Sequence, residues 1–321
     1  MKKKALIVGI NYVGTSNTLK GCINDANNMK ALLESKGFTE IKMILEKEAT
    51  TAGIIAGMNW LVADTVPGDV IVFHYSGHGS QLVSSVEADG FEEIICPVDL
   101  NWLDKVITDD TLRQTFDKVP NGVNTTLILD CCHSGTMLDQ SGTLGGTKEV
   151  AAPVKKKGSR YLKPPAGIVK KLKNRVLVDW QTSRDVNASA LLIAGCMANQ
   201  TSADAVINGV PQGAATASLL KVVAADSAIS YRSLVTNMQG YMVENKFKQI
   251  PELDGSESLY DQKFLEPFSF ATPVEPVEPV IPVIDTTAGP VVEPSASNNN
   301  MKPILVIGAI IAIIVLFLVF G

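Results

Sequence analysis

The chain has 321 residues, a net charge of −5 and 46% hydrophobic residues, enough apolar material for a sizeable core and no basic excess that would make nucleic acid an expected partner. Its five cysteines (Cys22, Cys96, Cys131, Cys132 and Cys196) form no CxxC or Cys/His ligand set. Neither a disulfide framework nor a zinc site is suggested, and a reducing compartment suits them better.

In chain order, apolar β-branched runs alternate with helical periodicity. Residues 4–10 read as a first strand and 40–45 as a second. Between them a helix over 26–36 puts Met29, Leu32 and Leu33 on one face, and Asp25 just before it is either its N-cap or a pocket residue. Helical spacing over 51–64 leads into a strand over 70–75, and a helix over 109–119 leads into a strand over 125–130. A strand at 190–195 and amphipathic helices at 213–225 and 231–246 complete the set. Strands alternating with helices predict a three-layer α/β domain with a mainly parallel central sheet, filling residues 1–270. The glycines from Gly9 to Gly14 match neither a P-loop nor GxGxxG, so no organic cofactor is expected.

Two of these strands stop abruptly at reactive and small residues. One ends in Phe73-His74-Tyr75-Ser76-Gly77-His78-Gly79, the other in Leu129-Asp130-Cys131-Cys132-His133-Ser134-Gly135. Open α/β sheets place their active sites at such C-terminal strand ends. His78 and Cys132 are 54 positions apart, so a base would reach the thiol through space, as a Cys–His hydrolase requires. Gly77 and Gly79 let the backbone turn and leave the His78 ring accessible. His74 falls inside its strand and reads as packed, while His133 directly follows the nucleophile and points away. Asp130 lies two residues before Cys132 and raises the thiol pKa if it sits beside the sulfur. Its presence makes more sense facing a pocket for a cationic side chain.

The same segments resemble the two signature motifs of the metacaspases, caspase-like cysteine peptidases. Gly21-Cys22-Ile23-Asn24-Asp25-Ala26, Pro97-Val98-Asp99, Asp109-Asp110, Ala194-Gly195-Cys196 and Gln200-Thr201-Ser202-Ala203-Asp204 extend the likeness, which covers about residues 4–270. The resemblance implies His78 as base and acid, Cys132 as nucleophile, and protein or peptide substrates cut after Arg or Lys. It also implies an acidic first pocket built from Cys22, Asp25, Ser76 and Asp130. Backbone N–H groups of Gly79 and Cys132 are the expected oxyanion donors. Cys131, beside the nucleophile, leaves an ambiguity that mutation decides.

Residues 87–110 carry eight carboxylates against one base, Lys105. Such a run is either a solvated face or a set of hard oxygen ligands for Ca²⁺. The resemblance implies a calcium site at Glu92, Asp109, Asp110 and Asp139; Glu92 departs from the usual Asp, and Glu93 is the substitute.

Residues 141–185 form a basic connector rich in Lys and Arg, where an enzyme preferring those residues could cut itself. Residues 271–302 are a Pro-rich linker, and 303–321 form an uncharged apolar run of 19 residues. At about 1.5 Å per residue that run reaches roughly 28 Å, a transmembrane anchor that leaves a monomeric catalytic domain facing the cytosol. Met1-Lys2-Lys3-Lys4 mimics a signal n-region, but the apolar stretch after it is too short for secretion. Two other readings stay open: a catalytically silent caspase-like membrane scaffold, and a peptidase of different primary specificity that shares the dyad without needing Asp25 and Asp130.

Overall fold

The computed structural model describes residues 1–83, 91–132, 158–165, 168, 189–197 and 200–269. The chain divides into two units, residues 1–271 and 272–321, and the second lies outside the described residues, as do the linker and the expected anchor. Among the described residues no helix is long and apolar enough to cross a membrane.

Six strands make the central sheet: β1 (Lys3–Gly9), β2 (Glu40–Leu45), β3 (Val70–Ser76), β7 (Asn124–Asp130), β9 (Ala190–Ala194) and β12 (Glu252–Gly255), in the order β12-β9-β7-β3-β1-β2. All pairings are parallel except that of β12 with β9. Strand alternation sends Leu6, Val8, Ile71, Phe73, Leu127 and Leu129 to one face, against α2 (Thr51–Val62) and α3 (Asp109–Phe116). Ala5, Ile7, Val70, Val72, Ile128 and Ile193 face the other way. They pack on α1 (Cys22–Ser35), α4 (Ala214–Ala225) and α5 (Tyr231–Glu244). The three layers expected from the element order are therefore present. Two small sheets flank them, β4 (Gly79–Val83) with β5 (Phe91–Ile95) and β6 (Ile107–Thr108), and β8 (Gly158–Ser159) with β10 (Ala203–Ile207) and β11 (Val210–Gly213).

The N-terminal lysines belong to this architecture. Lys4 Nζ donates to the carbonyls of Trp60 (2.8 Å) and Ala63 (3.1 Å), placing a cation at the C-terminal end of α2 where the helix dipole is negative. One boundary differs in a way that matters for function. Helix α1 starts at Cys22, with the Cys22 N–H satisfied by Asn11 Oδ1 at 2.9 Å, so Asp25 is buried in the first turn and is not its N-cap. Its carboxylate is free of capping work and turns to the pocket.

Candidate active site

Strands β3 and β7 are neighbours, and their register sets Ser76 opposite Asp130. The chain beyond each strand therefore emerges at the same edge of the sheet, which brings Gly77-His78-Gly79 and Cys131-Cys132 together. The approach is close: a Cβ on Gly79 would stand 2.0 Å from the Cys132 carbonyl oxygen, so only glycine fits there.

The His78 backbone is held from three sides. Its N–H donates to Tyr12 Oη (3.0 Å), and its carbonyl accepts from Tyr75 Oη (2.7 Å) and the Cys96 N–H (3.0 Å). The Tyr12 ring packs against the imidazole with centroids 4.7 Å apart. His78 Nε2 lies 2.7 Å from the Asn17 carbonyl oxygen. A carbonyl only accepts, so the proton sits on Nε2 and the lone pair on Nδ1. Nδ1 has no hydrogen-bond partner among the described residues. Burial holds the imidazole below its ordinary pKa, against the opposing pull of the Asn17 and Arg160 carbonyls.

Cys132 Sγ accepts the Ser202 N–H at 3.1 Å and lies 3.9 Å from Ser159 Oγ. Burial pushes its thiol up to about 12, with the Ser202 N–H pulling the other way and Asp130 a minor contributor. The two adjacent thiols are differently placed: Cys131 packs into the apolar core beneath α2 and α3, whereas Cys132 faces Ser159 and Ser202. His74 is sealed in β3, its ring nitrogens without partners among the described residues and its pKa driven down to about 4 by burial.

Beside this pair lies a buried acidic pocket, and a side chain of the same chain fills it. Arg160 is fully buried. Its Nη2 reaches Asp25 Oδ2 (2.7 Å) and Asp204 Oδ1 (3.2 Å); its Nη1 reaches Asp130 Oδ1 (3.1 Å), Ser76 Oγ (2.9 Å) and the Asp130 carbonyl (2.9 Å). Each carboxylate is itself fixed. Asp25 accepts from Ser76 Oγ (2.7 Å) and the Gly213 N–H (2.9 Å), and Asp130 from Ser202 Oγ (2.7 Å) and the N–H and Oγ1 of Thr216 (2.8 Å each). Asp204 accepts from the N–H groups of Lys20 (2.8 Å) and Gly21 (3.0 Å). Burial raises both pocket aspartates. For Asp130 the Arg160 guanidinium and the Ser202 and Thr216 donors outweigh it and hold the carboxyl below its ordinary range; Asp25, less well supplied with donors, stays raised. Cys22 is buried near enough to feel the Arg160 charge, but burial dominates and lifts its thiol to about 12.

Residues 3–141 match the family model described as the metacaspase, peptidase C14 domain. The chain is 35% identical to Metacaspase-1 of Meyerozyma guilliermondii over 79% of its own length and 70% of that protein's. It is 31% identical to Metacaspase-3 of Trypanosoma brucei brucei over 81% and 73%. This chain belongs to the metacaspase family. It is accordingly a cysteine-type peptidase with a caspase-like fold. The crystal structure of protein GSU0716 from Geobacter sulfurreducens matches 84% of this metacaspase and 100% of that chain, with a TM-score of 0.60 and 26% identity.

The structure thus gathers Cys22, Asp25, Ser76, Asp130, His78, Gly79 and Cys132 at one sheet edge. The calcium candidates are elsewhere. Glu92 and Glu93 lie on β5, where Glu93 accepts from Gln81 Nε2 (3.0 Å); Asp109 and Asp110 open α3, where Asp110 pairs with Arg113. Among the described residues no three His, Cys, Asp or Glu side chains converge to hold a metal, so these four are not a preformed ligand set; Asp139 lies outside the described residues. Sequence reasoning missed Arg160, Asp204 and Ser202 as site residues. Ser202 directly precedes β10, the middle strand of its small sheet, and Asp204 stands two residues on, both within the Gln200–Asp204 segment, a legible signal; nothing singled Arg160 out of a crowded basic run.

Proposed function

We propose that this metacaspase is an endopeptidase cutting after Arg or Lys, with Cys132 as nucleophile and His78 as base and acid. The observation that carries the specificity is Arg160, whose guanidinium sits fully buried among Asp25, Asp130 and Asp204. A buried cation is tolerated only where opposite charges and hydrogen bonds replace water, so a pocket with three carboxylates beside the thiol selects a basic side chain. With Nε2 committed to Asn17, Nδ1 of His78 takes the Cys132 proton as the sulfur attacks the carbonyl carbon. The Gly79 N–H supports the oxyanion. The imidazolium then protonates the leaving amine, and water, deprotonated by the same ring, hydrolyses the thioester.

Two further parts of the proposal rest on the sequence. The apolar run 303–321 holds the enzyme at a membrane with its catalytic unit on the cytosolic side. Ca²⁺ stimulates it through Glu92, Glu93, Asp109, Asp110 and Asp139; the antiparallel register of Ile94 with Thr108 supports this by bringing the two described pairs to the same end of their sheet. Binding there would require Asp110 to leave Arg113.

The test is turnover of peptides bearing Arg, Lys or Asp before the scissile bond, with Ca²⁺ or a chelator and with Cys132→Ala as control. Cleavage after Arg and Lys alone, absent in the variant, is the expected result. Cleavage after Asp removes the acidic-pocket reading and keeps the dyad.

A further inference from the structure

One residue outside the dyad, Tyr12, meets His78 at its backbone, at its ring face and, through a turn, at Nε2. Its hydroxyl accepts the His78 N–H at 3.0 Å, and its ring packs on the imidazole with centroids 4.7 Å apart. Its carbonyl accepts from the Thr15 N–H (3.2 Å) and from the hydroxyls of Thr15 (2.8 Å) and Thr18 (3.1 Å). Those bonds tie down the turn that carries Asn17, whose carbonyl keeps the imidazole proton on Nε2. The hydroxyl network behind the ring is closed as well. Tyr12 Oη gives its proton to the Cys96 carbonyl (2.6 Å), and Tyr75 Oη, 3.0 Å from Tyr12 Oη, gives its own to the His78 carbonyl (2.7 Å). Burial lifts both phenols well above their ordinary pKa, so both keep the protons that this pattern needs. A Cβ on Gly77 would stand 2.5 Å from Tyr75 Oη and 3.0 Å from Tyr12 Oη, so the chain entering His78 lies directly against the two hydroxyls. Tyr12 does all this from a left-handed backbone, φ 52°, which bulky residues rarely adopt. A tyrosine that only filled the core would need neither that conformation nor its carbonyl at the centre of the Asn17 turn.

We propose that Tyr12 is the positioning residue of the dyad, holding Nδ1 of His78 on the line between the Cys132 thiol and the leaving amine. The inference rests on the dyad proposed above. Tyr12 itself exchanges no proton with substrate; it acts through the imidazole. Replacing it by Phe keeps the ring and removes the acceptor of the buried His78 N–H, so the histidine loses its backbone anchor while its packing stays. A catalytic group displaced by about 1 Å costs on the order of 100-fold, and the retained ring limits the displacement, so the expected loss is about ten- to a hundredfold. That loss depends on the leaving group. With an amide, His78 acts twice in acylation, taking the thiol proton and then giving it to the amine. An activated ester departs without the second transfer, so it draws on the position of His78 once.

The experiment uses the full chain carrying Arg160→Gln, so that the pocket is open to added peptides. Tyr12→Phe, Thr18→Val and His78→Ala are added to it singly. Each is assayed on one Arg peptide presented as a p-nitroanilide and as a p-nitrophenyl ester. For Tyr12→Phe the anilide should lose at least about tenfold in kcat with KM kept within about threefold, and the loss in kcat/KM on the ester should be at least about threefold smaller. A tyrosine that supported only the fold or the pocket would lower both substrates in the same proportion. Thr18 is exposed, and its Val variant cuts one tie to the Tyr12 carbonyl without emptying the core, so it carries the test if Tyr12→Phe does not fold. It should show a loss of about threefold on the anilide with the same bias. Equal losses on the two substrates, or an anilide change under about threefold in a folded Tyr12→Phe chain, overturn the positioning role. The dyad reading stands if His78→Ala abolishes anilide turnover in that same series, and falls separately if His78→Ala keeps it.

Discussion

Asp130→Asn, placed on an Arg160→Gln background so that the chain's own arginine no longer competes, removes one of three pocket charges without changing shape. The consequence follows from the partners of each oxygen. Oδ2 accepts the Thr216 N–H and Oγ1, both at 2.8 Å, and a backbone N–H cannot reverse its role. The asparagine oxygen therefore stays at that position, and its NH₂ takes the place of Oδ1. There Ser202 Oγ, now 2.7 Å from Oδ1, rotates its hydroxyl and accepts. A substrate guanidinium taking the place of Arg160, whose Nη1 lies 3.1 Å from Oδ1, cannot accept and meets another donor. The loss falls on the bound cation and spares the fold. A hydrogen bond to a charged group contributes about 1.5–3 kcal/mol, which converts to about 10- to 150-fold in kcat/KM for an Arg peptide. The assay compares an Arg peptide with its citrulline isostere, which has the shape without the charge. Equal effects on the two peptides, or a change under about threefold on Arg with melting behaviour kept, would refute the reasoning.

Other consequences can be checked separately. A Cβ on Gly213 would stand 2.2 Å from Asp130 Oδ2 and 2.5 Å from Arg160 Nη1, so Gly213→Ala should narrow the pocket and cost Arg peptides at least about tenfold in kcat/KM, with their citrulline isosteres hit as well because the clash is one of shape. His74 is held near 4 against an ordinary 6.5. Between those values the unfolded chain binds a proton that the folded chain refuses. Stability is therefore lost as pH falls through this window, by about 3 kcal/mol in all. Asp25, with its raised pKa, slopes the other way, so the readout is the difference in urea midpoint between wild type and His74→Leu at pH 7 and pH 5. For the membrane proposal, deleting residues 303–321 should move the chain from the membrane pellet to the supernatant.

Much of the fold was legible because buried parallel strands write continuous apolar runs. Val70–Ser76 and Asn124–Asp130 both ended within a residue of the expected boundary, and their abrupt endings marked the site. The antiparallel edge strand Glu252–Gly255 went unseen, since Glu-Leu-Asp-Gly has neither the length nor the β-branching of a buried strand. The sequence places the start of helix α1 late because Gly21 at its N-cap offers no side-chain signal, and the acceptor that satisfies the Cys22 N–H is Asn11 Oδ1, on another part of the chain. The proposed dyad and two aspartates of the candidate pocket lay in compact motifs. Asp204 stood in a motif without a role of its own and Arg160 in a basic run 44 positions earlier, and their pairing becomes visible only in the fold that sets them 3.2 Å apart.

The central claim is that Cys132, next to an acidic pocket, attacks carbonyls that follow a basic side chain. A peptidyl chloromethyl ketone bearing Arg, applied to the Arg160→Gln chain and mapped by mass spectrometry, tests it in one step, since the attacking sulfur keeps the label. The account predicts a single adduct on Cys132 with the Arg reagent and none with its Asp counterpart. An adduct on Cys131, or equal labelling by the Asp reagent, would contradict it.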